Sequence, residues 1–267
     1  MTALARTGPA ARTWRPAPAI AASFLLHGAA LAALVASPRL WPWVFAALAA
    51  NHLVLFAAVF WPRGRLLGPN LVRLPAAAAA RNEVSLTFDD GPDPEVTPRV
   101  LDLLDRYGMR ASFFCVGERA AAHPEVVREI ARRGHSVENH SRSHSWAFAF
   151  YGFARLKREV ETAQSLIGGA AGRAPSYFRA PMGLRSPLLD PVLARCGLHH
   201  VSWTRRGFDA TMRDPEGVLR RLTAGLSAGD ILLLHDGGGT RTRDGTPVVL
   251  AVLPPLLQRM QDRKSVV

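Results

Sequence analysis

Cysteine, lysine and acidic residues are scarce in this 267-residue chain. Cys115 and Cys196 are its two cysteines, which is too few for a disulfide framework, and they are too far apart in sequence for a cysteine zinc site. Cys115 lies in the apolar run 111–116 and is expected to be a core thiol. Lysine occurs only as Lys157 and Lys264, so arginine supplies nearly all of the 33 basic residues, against 21 acidic ones.

This basic balance suits an anionic partner, such as lipid head groups or a phosphorylated substrate. The chain carries no recognised nucleic-acid-binding motif and no platform of clustered arginines and aromatic residues. We therefore do not expect a nucleic-acid partner.

Hydrophobicity is concentrated near the start of the chain, in the stretches 18–37 and 40–61. Each has roughly 20 residues, the length of a helix that crosses a bilayer. Tryptophans sit near the ends of the second stretch, where interfacial aromatic residues belong. We predict a transmembrane helical hairpin and a linker within residues 1–75.

Two other interpretations of these stretches stay open. The basic start, the apolar core and the small residues at 36–37 also fit a secretory signal peptide, although the second stretch argues against simple secretion. A buried hairpin of a soluble protein is the other alternative. Three polar residues that would be costly in lipid are expected to face the partner helix rather than form a site: His27, Asn51 and His52.

The arginines around the two stretches predict their orientation. The loop between the stretches has only Arg39, whereas three arginines precede the hairpin and three follow it: Arg6, Arg12, Arg15, Arg63, Arg65 and Arg73. The positive-inside rule then puts both ends of the hairpin in the cytoplasm. The prediction is a multi-pass protein of a bacterial-type inner (plasma) membrane, with its C-terminal domain on the cytoplasmic side.

Residues 76–267 alternate short strands with amphipathic helices. The predicted strands are 84–88, 111–116, 136–138, 177–179, 199–203 and 231–234. The predicted helices are 96–107, 123–133, 153–167, 187–196, 215–226 and 248–260, most of them followed closely by glycine. Repeated strand-helix units predict an α/β fold with a parallel sheet or barrel. About seven units is short for an eight-fold barrel.

Two adjacent carboxylates end the first predicted strand, in the run TFDDGP at 87–92. Barrel enzymes present their chemistry at the carboxyl ends of strands. Neighbouring residues there point in different directions, so one of Asp89 and Asp90 could bind a metal while the other faces a substrate. A plain turn after a strand is the alternative for this run taken alone.

Three histidines and one arginine, located at or after other predicted strands, could also take part in a site. His140 and His144 are four residues apart, which on a helical turn puts both imidazoles on one face. Two histidines and one carboxylate are a common ligand set for a catalytic metal. His235 ends a buried strand, where it could act as a general acid or base or be a hydrogen-bonded rim residue. Arg179 could orient a carboxylate by a bidentate contact, or be a surface residue of a loop.

Taken in order, these motifs resemble the polysaccharide deacetylase family, the NodB-homology carbohydrate esterases of family 4. The match covers about residues 82–260 and rests on TFDDGP, on the HSxxH at 140–144, on Arg179-x-Pro181 and on the LHD at 234–236. The resemblance implies a distorted (β/α) barrel with fewer than eight regular strands.

The resemblance also implies residue roles. The metal ligands would be Asp90, His140 and His144, and the metal Zn²⁺, with Co²⁺ or another divalent transition metal as alternatives. Asp89 would be the catalytic base and His235 the catalytic acid. Arg179 would orient the base, and Asp209 would tune the acid.

Two motifs depart from the family pattern. Ala180 and Met182 replace residues of the third motif. In the fourth, Asp209 survives but Arg206 and Ala210 stand at the other positions, which leaves the role of Asp209 open and suggests that Arg206 meets an anionic group of the substrate.

The expected function is metal-dependent removal of an N-acyl group, above all N-acetyl, from an amino sugar at the membrane. The substrate would be a polysaccharide or a lipid-linked saccharide, and the basic hairpin favours a polyprenyl-phosphate-linked one. A non-catalytic glycan- or lipid-binding module that kept the fold is the alternative, and a structural membrane partner is a third.

Overall fold

Seven parallel strands form the sheet at the centre of the protein. The structure is a computed structural model that describes residues 10–262. The strands are β1 (Ser85–Asp89), β2 (Ser112–Cys115), β3 (Ser136–Asn139), β4 (Tyr177–Phe178), β5 (His199–His200), β6 (Arg205–Arg206) and β7 (Ile231–His235). Their order across the sheet is β5-β4-β3-β2-β1-β7-β6.

The sheet is curled into an incomplete barrel. Its two edge strands, β5 and β6, follow each other in sequence with only residues 201–204 between them. So short a connection must bring the two edges close together, because a residue spans at most about 3.6 Å. The expected distorted α/β barrel with fewer than eight strands is confirmed.

Helices cover the outside of the sheet. They are α3 (Ala76–Ala80), α4 (Val96–Arg106), α5 (Gly117–Ala122), α6 (Pro124–Arg132), α7 (Phe153–Ala171), α8 (Leu189–Arg195), α9 (Pro215–Thr223) and α10 (Val248–Asp262). The largest apolar core lies between them and the sheet, and it contains Leu86 and Phe88 of β1 and the buried Cys115. The other face of β1 carries Thr87 and Asp89, as the two-residue period of a strand requires.

Most predicted elements are found within two or three residues of their predicted ends. The prediction that helix 153–167 stops before two glycines is wrong: α7 continues through both and ends before Gly172, whose φ is 71°. Strand β6 is two residues long, and the predicted strand 199–203 ends early. Strands this short leave too little alternation to be recognised.

Two apolar helices precede the sheet, α1 (Pro18–Ala36) and α2 (Trp41–Val59), joined by the 3₁₀ turn Pro38–Leu40. Both are long and apolar enough to cross a membrane, and a signal sequence would also fit α1. Only 17% and 11% of their apolar windows are buried, so they are not core helices of the folded domain. Arg6, one of the arginines on which the predicted orientation depends, lies outside the described residues.

The polar residues of the hairpin face the partner helix, as predicted. Asn51 donates a hydrogen bond of 2.9 Å to the hydroxyl of Ser23 on the other helix. The rings of His27 and His52 meet edge to face, with centroids 5.3 Å apart. Nδ1 of each histidine is also hydrogen-bonded at 2.7 Å to a carbonyl oxygen of its own helix.

The segment after α2 is attached to the edge of the sheet. Leu71 forms a parallel bridge with Val201, and the side chain of Asn70 is hydrogen-bonded to His200 at 2.9 Å. Arg73 is 2.9 Å from the carboxylate of Asp230. A division of the chain at residue 75 stays a prediction.

Candidate active site

Asp89 and Arg179 form a buried ion pair at the carboxyl end of the sheet. Asp89 is the last residue of β1 and Arg179 directly follows β4. Nη1 of Arg179 lies 2.6 Å from Oδ1 of Asp89, and both side chains are almost fully buried. The predicted bidentate contact is wrong, because the other guanidinium nitrogens donate to the carbonyl oxygens of Val201 and Ser202. Anchored in this way, the guanidinium has little freedom, so it fixes the position of the Asp89 carboxylate.

Asp90 turns away from its neighbour toward two imidazoles. Its φ of 72° is left-handed, so the chain changes direction directly after β1. Oδ1 of Asp90 lies 3.2 Å from Nε2 of His140 and 3.0 Å from Nε2 of His144. Burial alone would raise the pKa of Asp90, but the hydrogen-bonding capacity and charge of these imidazoles lower it below its usual range. The two adjacent carboxylates therefore do face different partners, as expected.

These three residues fit a divalent metal ion. Oδ1 of Asp90 is buried and makes no hydrogen bond, which leaves its lone pairs free for a cation. Nδ1 of His140 is 2.8 Å from the carbonyl oxygen of Arg179, to which it donates, so the lone pair of its Nε2 points into the site. Ligand atoms around a tetrahedral Zn²⁺ with bonds of about 2.0 Å lie about 3.3 Å apart, close to the separations found here.

The two histidines reach this arrangement from an irregular loop. The prediction of a helical turn over residues 140–144 is wrong, because Ser141 and His144 have φ values of 65° and 50°. The amide of Ser141 donates to Oδ1 of Asn139, and the amide of His144 donates to the hydroxyl of Ser141. Local hydrogen bonds of this kind offer the backbone an alternative to a helix.

His235 and Asp209 form a second buried pair beside that of Asp89 and Arg179. His235 ends β7, where it stands opposite Asp89 in the parallel register. Its Nδ1 is 2.9 Å from Oδ1 of Asp209, and its backbone N–H donates to Oδ2 of Asp209 at 2.8 Å. Burial alone would lower the pKa of His235, but the hydrogen bond and charge of Asp209, with smaller effects from Asp89 and Asp90, raise it to about 9. The imidazole is therefore protonated at neutral pH.

The three proposed metal ligands line one cleft of about 140 Å³ together with Asp89 and His235. Its lining comprises Asp89, Asp90, His140, His144, Met182, Gly183, Trp203, Arg206, Ala210, Leu233 and His235. Larger cavities exist, such as one of about 430 Å³ around His135. His135 directly precedes β3, at the end of that strand away from the cleft, and no predicted site residue lines this cavity. The chemistry of the lining, and not its size, identifies the site.

Arg206 projects into this cleft without a carboxylate partner among the described residues. Its guanidinium lies 4.9 Å from the ring centre of Phe208 and 5.6 Å from that of Trp203. Its buried Nε has no hydrogen-bond partner. An arginine held between aromatic rings beside reactive groups is prepared for an anion.

Sequence reasoning missed two residues that hold the site together. The hydroxyl of Thr87 accepts a hydrogen bond of 2.9 Å from Arg179 and donates one of 2.7 Å to the carbonyl of Leu232. The hydroxyl of Thr87 between two apolar residues of β1 was an available signal. Arg119 donates to the carbonyl oxygen of Asp90 at 2.6 Å, and nothing in the sequence around Arg119 indicates this contact.

Comparisons with known proteins show the family to which this chain is similar. A model of the polysaccharide deacetylase family matches residues 76–201. A peptidoglycan-N-acetylglucosamine deacetylase of Bacillus cereus is 31% identical over 66% of this chain and 82% of its own. A chitooligosaccharide deacetylase of a Bradyrhizobium species is 36% identical over 66% of this chain and 84% of its own.

Solved structures show the same fold. A family 4 carbohydrate esterase from Streptomyces lividans, in complex with acetate, is 31% identical, with a TM-score of 0.62 over 69% of this chain and 90% of its own. A family 4 pseudoenzyme from Bacillus anthracis has a TM-score of 0.65 over 74% of this chain and 66% of its own, but at 18% identity it shows the fold alone. On the sequence relatives and the shared fold, this chain belongs to the polysaccharide deacetylase family.

Proposed function

We propose that this protein is a metal-dependent hydrolase that removes an N-acyl group, above all N-acetyl, from an amino sugar. The observation that carries the proposal is that one small cleft is lined by a metal-ligand set and, beside it, by the Asp89 and His235 of two buried proton-transfer pairs. The peptidoglycan and chitooligosaccharide deacetylases that resemble this chain support an N-acetylated amino sugar as the substrate class.

Asp90, His140 and His144 would hold the metal, which we take to be Zn²⁺, with Co²⁺ or another transition metal as alternatives. Such an ion acts as a Lewis acid toward the amide carbonyl. Asp89 is then the general base: Arg179 orients its carboxylate, which takes the proton of the attacking water.

His235 is the general acid, and it lies on the strand next to that of Asp89. Asp209 holds its Nδ1, so Nε2 is the nitrogen that carries the proton for the leaving amine. Because the pKa of His235 is raised to about 9, that proton is present at neutral pH. The products are a free amino sugar and a carboxylate.

We further propose that the substrate is lipid-linked and that the protein is a multi-pass protein of the plasma membrane. The mostly exposed apolar helices support a membrane hairpin, and the unpaired Arg206 suits the phosphate of a polyprenyl-phosphate-linked sugar. The arginine distribution favours a cytoplasmic catalytic domain. A reporter fused after residue 267 tests that orientation. Activity of a reporter that works only in the periplasm would contradict a cytoplasmic catalytic domain.

The alternative, a glycan- or lipid-binding module without activity, rests on the altered fourth motif. It is less well supported, because Asp209 still pairs with His235 in spite of that alteration. Metal content and acetate release from an acetylated chitooligosaccharide separate the two functions. Bound metal with acetate release supports the hydrolase, whereas a protein that binds neither Zn²⁺ nor Co²⁺ is the module.

A further inference from the structure

We propose that the loop between the metal ligand His144 and helix α7 dips into the surface of the bilayer, and that it holds the mouth of the cleft at the membrane interface. This inference rests on the proposed hydrolase and its membrane hairpin. It adds which part of the domain touches lipid and from which side a lipid-linked sugar enters.

Two aromatic side chains of this loop are exposed although they belong to an ordered turn. Trp146 is 77% and Phe150 54% exposed. The three residues of the short 3₁₀ helix Phe148–Phe150 lie in three different environments. Phe148 is buried against Phe178 in the domain, Ala149 packs in a cluster with residues of the hairpin, and Phe150 projects outward.

Phe150 lies beside the last turn of α2. Its ring centre is 6.4 Å from those of both Phe56 and Phe60. Helix α2 ends at Val59, so Phe56 lies about 5 Å inside that end at 1.5 Å per residue. If α2 crosses the bilayer, Phe150 lies at the depth of the boundary between hydrocarbon and head groups.

The cleft is attached to this boundary at two points. Trp146 follows the metal ligand His144 by two residues, so their Cα atoms are at most about 7 Å apart. The second point is Gly183, which lines the cleft. A Cβ placed on Gly183 would be 3.2 Å from Pro62, three residues after α2. The site therefore lies next to the chain that leaves the membrane, and not at the far end of the domain.

Charge complements this apolar contact. No acidic residue occurs before Glu83, and the exposed Arg63 and Arg65 directly follow α2. Anionic head groups attract such a juxtamembrane arginine pair, at about 1 kcal/mol for each basic residue near the surface. Tryptophan and phenylalanine are the residues that enter the interface when a basic segment is held there. The occupant of the patch is thus an anionic bilayer surface.

Depth measurement tests the contact without reference to activity. The full-length protein, with Cys196→Ser to remove the accessible thiol, receives a nitroxide at Trp146→Cys or Phe150→Cys in vesicles of phosphatidylglycerol and phosphatidylethanolamine. Tyr177→Cys is the matched control, because Tyr177 is an exposed aromatic residue that begins β4 at the end away from the cleft. We expect labels at 146 and 150 to be oxygen-accessible and protected from a polar nickel complex. Labels there that are as exposed to nickel as the one at 177 would overturn the proposal.

Activity gives the second test. Trp146→Ser with Phe150→Ser should lower deacetylation of an N-acetylglucosaminyl phospholipid in the same vesicles about tenfold. It should leave the rate on soluble N-acetylchitotetraose within about twofold, and Tyr177→Ser should change neither rate. Equal losses on both substrates would show that the loop serves only the catalytic groups, against the proposal. If the unsubstituted protein deacetylates neither substrate, the hydrolase function fails, while the depth measurement still decides the membrane contact.

Discussion

The two sides of the cleft differ in how their charged groups are paired. On the proton-transfer side, Asp89 has the guanidinium of Arg179 and His235 has the carboxylate of Asp209, with contacts of 2.6 and 2.9 Å. On the metal side, Oδ1 of Asp90 has no hydrogen bond, and its neighbours are two imidazole nitrogens.

This difference shows which part of the reaction the chain organises alone. Buried charges are stable only when they are paired, so the base and the acid are held in place by the fold itself. On the metal side, Asp90 has no ion pair with an arginine or lysine among the described residues, and a cation would complete its pairing. Four experiments test this difference between the two sides.

Replacement of the base should have the largest effect. In Asp89→Asn the carboxylate that accepts the proton of water is lost, and we expect deacetylation to fall about 10³-fold. The metal side keeps all its ligands, so the metal content should stay near one ion per chain. Acetate release and elemental analysis measure the two quantities. Full activity of this variant would exclude the proposed base.

Removal of the metal should lower activity through the metal side of the cleft and leave the two proton-transfer pairs in place. Chelation should lower activity about 100-fold or more, and added Zn²⁺ or Co²⁺ should restore it. A site saturated a hundredfold above its Kd also stabilises the fold by about 2.7 kcal/mol, which raises the melting temperature. Asp90→Ala is the control, because it should melt at the same temperature with and without Zn²⁺. Undiminished activity after complete chelation would contradict a metal-dependent reaction.

The pair of His235 and Asp209 should set the alkaline limit of activity. The proton on His235 is present below its raised pKa of about 9 and is lost as the pH rises through that value. Without the charge of Asp209, in Asp209→Asn, the pKa should fall to or below the ordinary value of about 6.5. At pH 8 that shift leaves about 3% of the imidazole protonated, a loss of about 30-fold in kcat. An alkaline limb that does not move would assign the limb to another group.

Arg206 should have the smallest and most selective effect. If it binds an anionic group, Arg206→Gln should raise KM for a phosphate-bearing substrate about fivefold to tenfold, equivalent to about 1–1.4 kcal/mol. The rise for a neutral chitooligosaccharide should be smaller. For Arg206→Lys, which keeps the charge, the KM for the phosphate-bearing substrate should lie between those of the unsubstituted protein and Arg206→Gln. Equal effects on both substrates would remove the evidence for an anionic group.

Much of the fold was predictable, because long amphipathic elements repeat their pattern several times. Helices α4, α6 and α10 were located within two residues at each end for this reason. Strand β6 and helix α5 were not predicted, because they are two and six residues long and tertiary contacts decide their conformation. The loop at 140–144 was mistaken for a helical turn, since i,i+4 spacing does not reveal two left-handed residues.

The order of the residues alone identifies the available side chains: two adjacent acids after a strand, two histidines four residues apart, and a histidine at the end of a buried strand. Their ligand and proton-transfer chemistry follows from their types, whatever the fold. Only the tertiary structure decided their pairing, because Asp89, Arg179 and His235 are far apart in sequence and meet through the parallel register. It also set the loop after His144 beside the end of α2, through contacts between side chains nearly 100 residues apart.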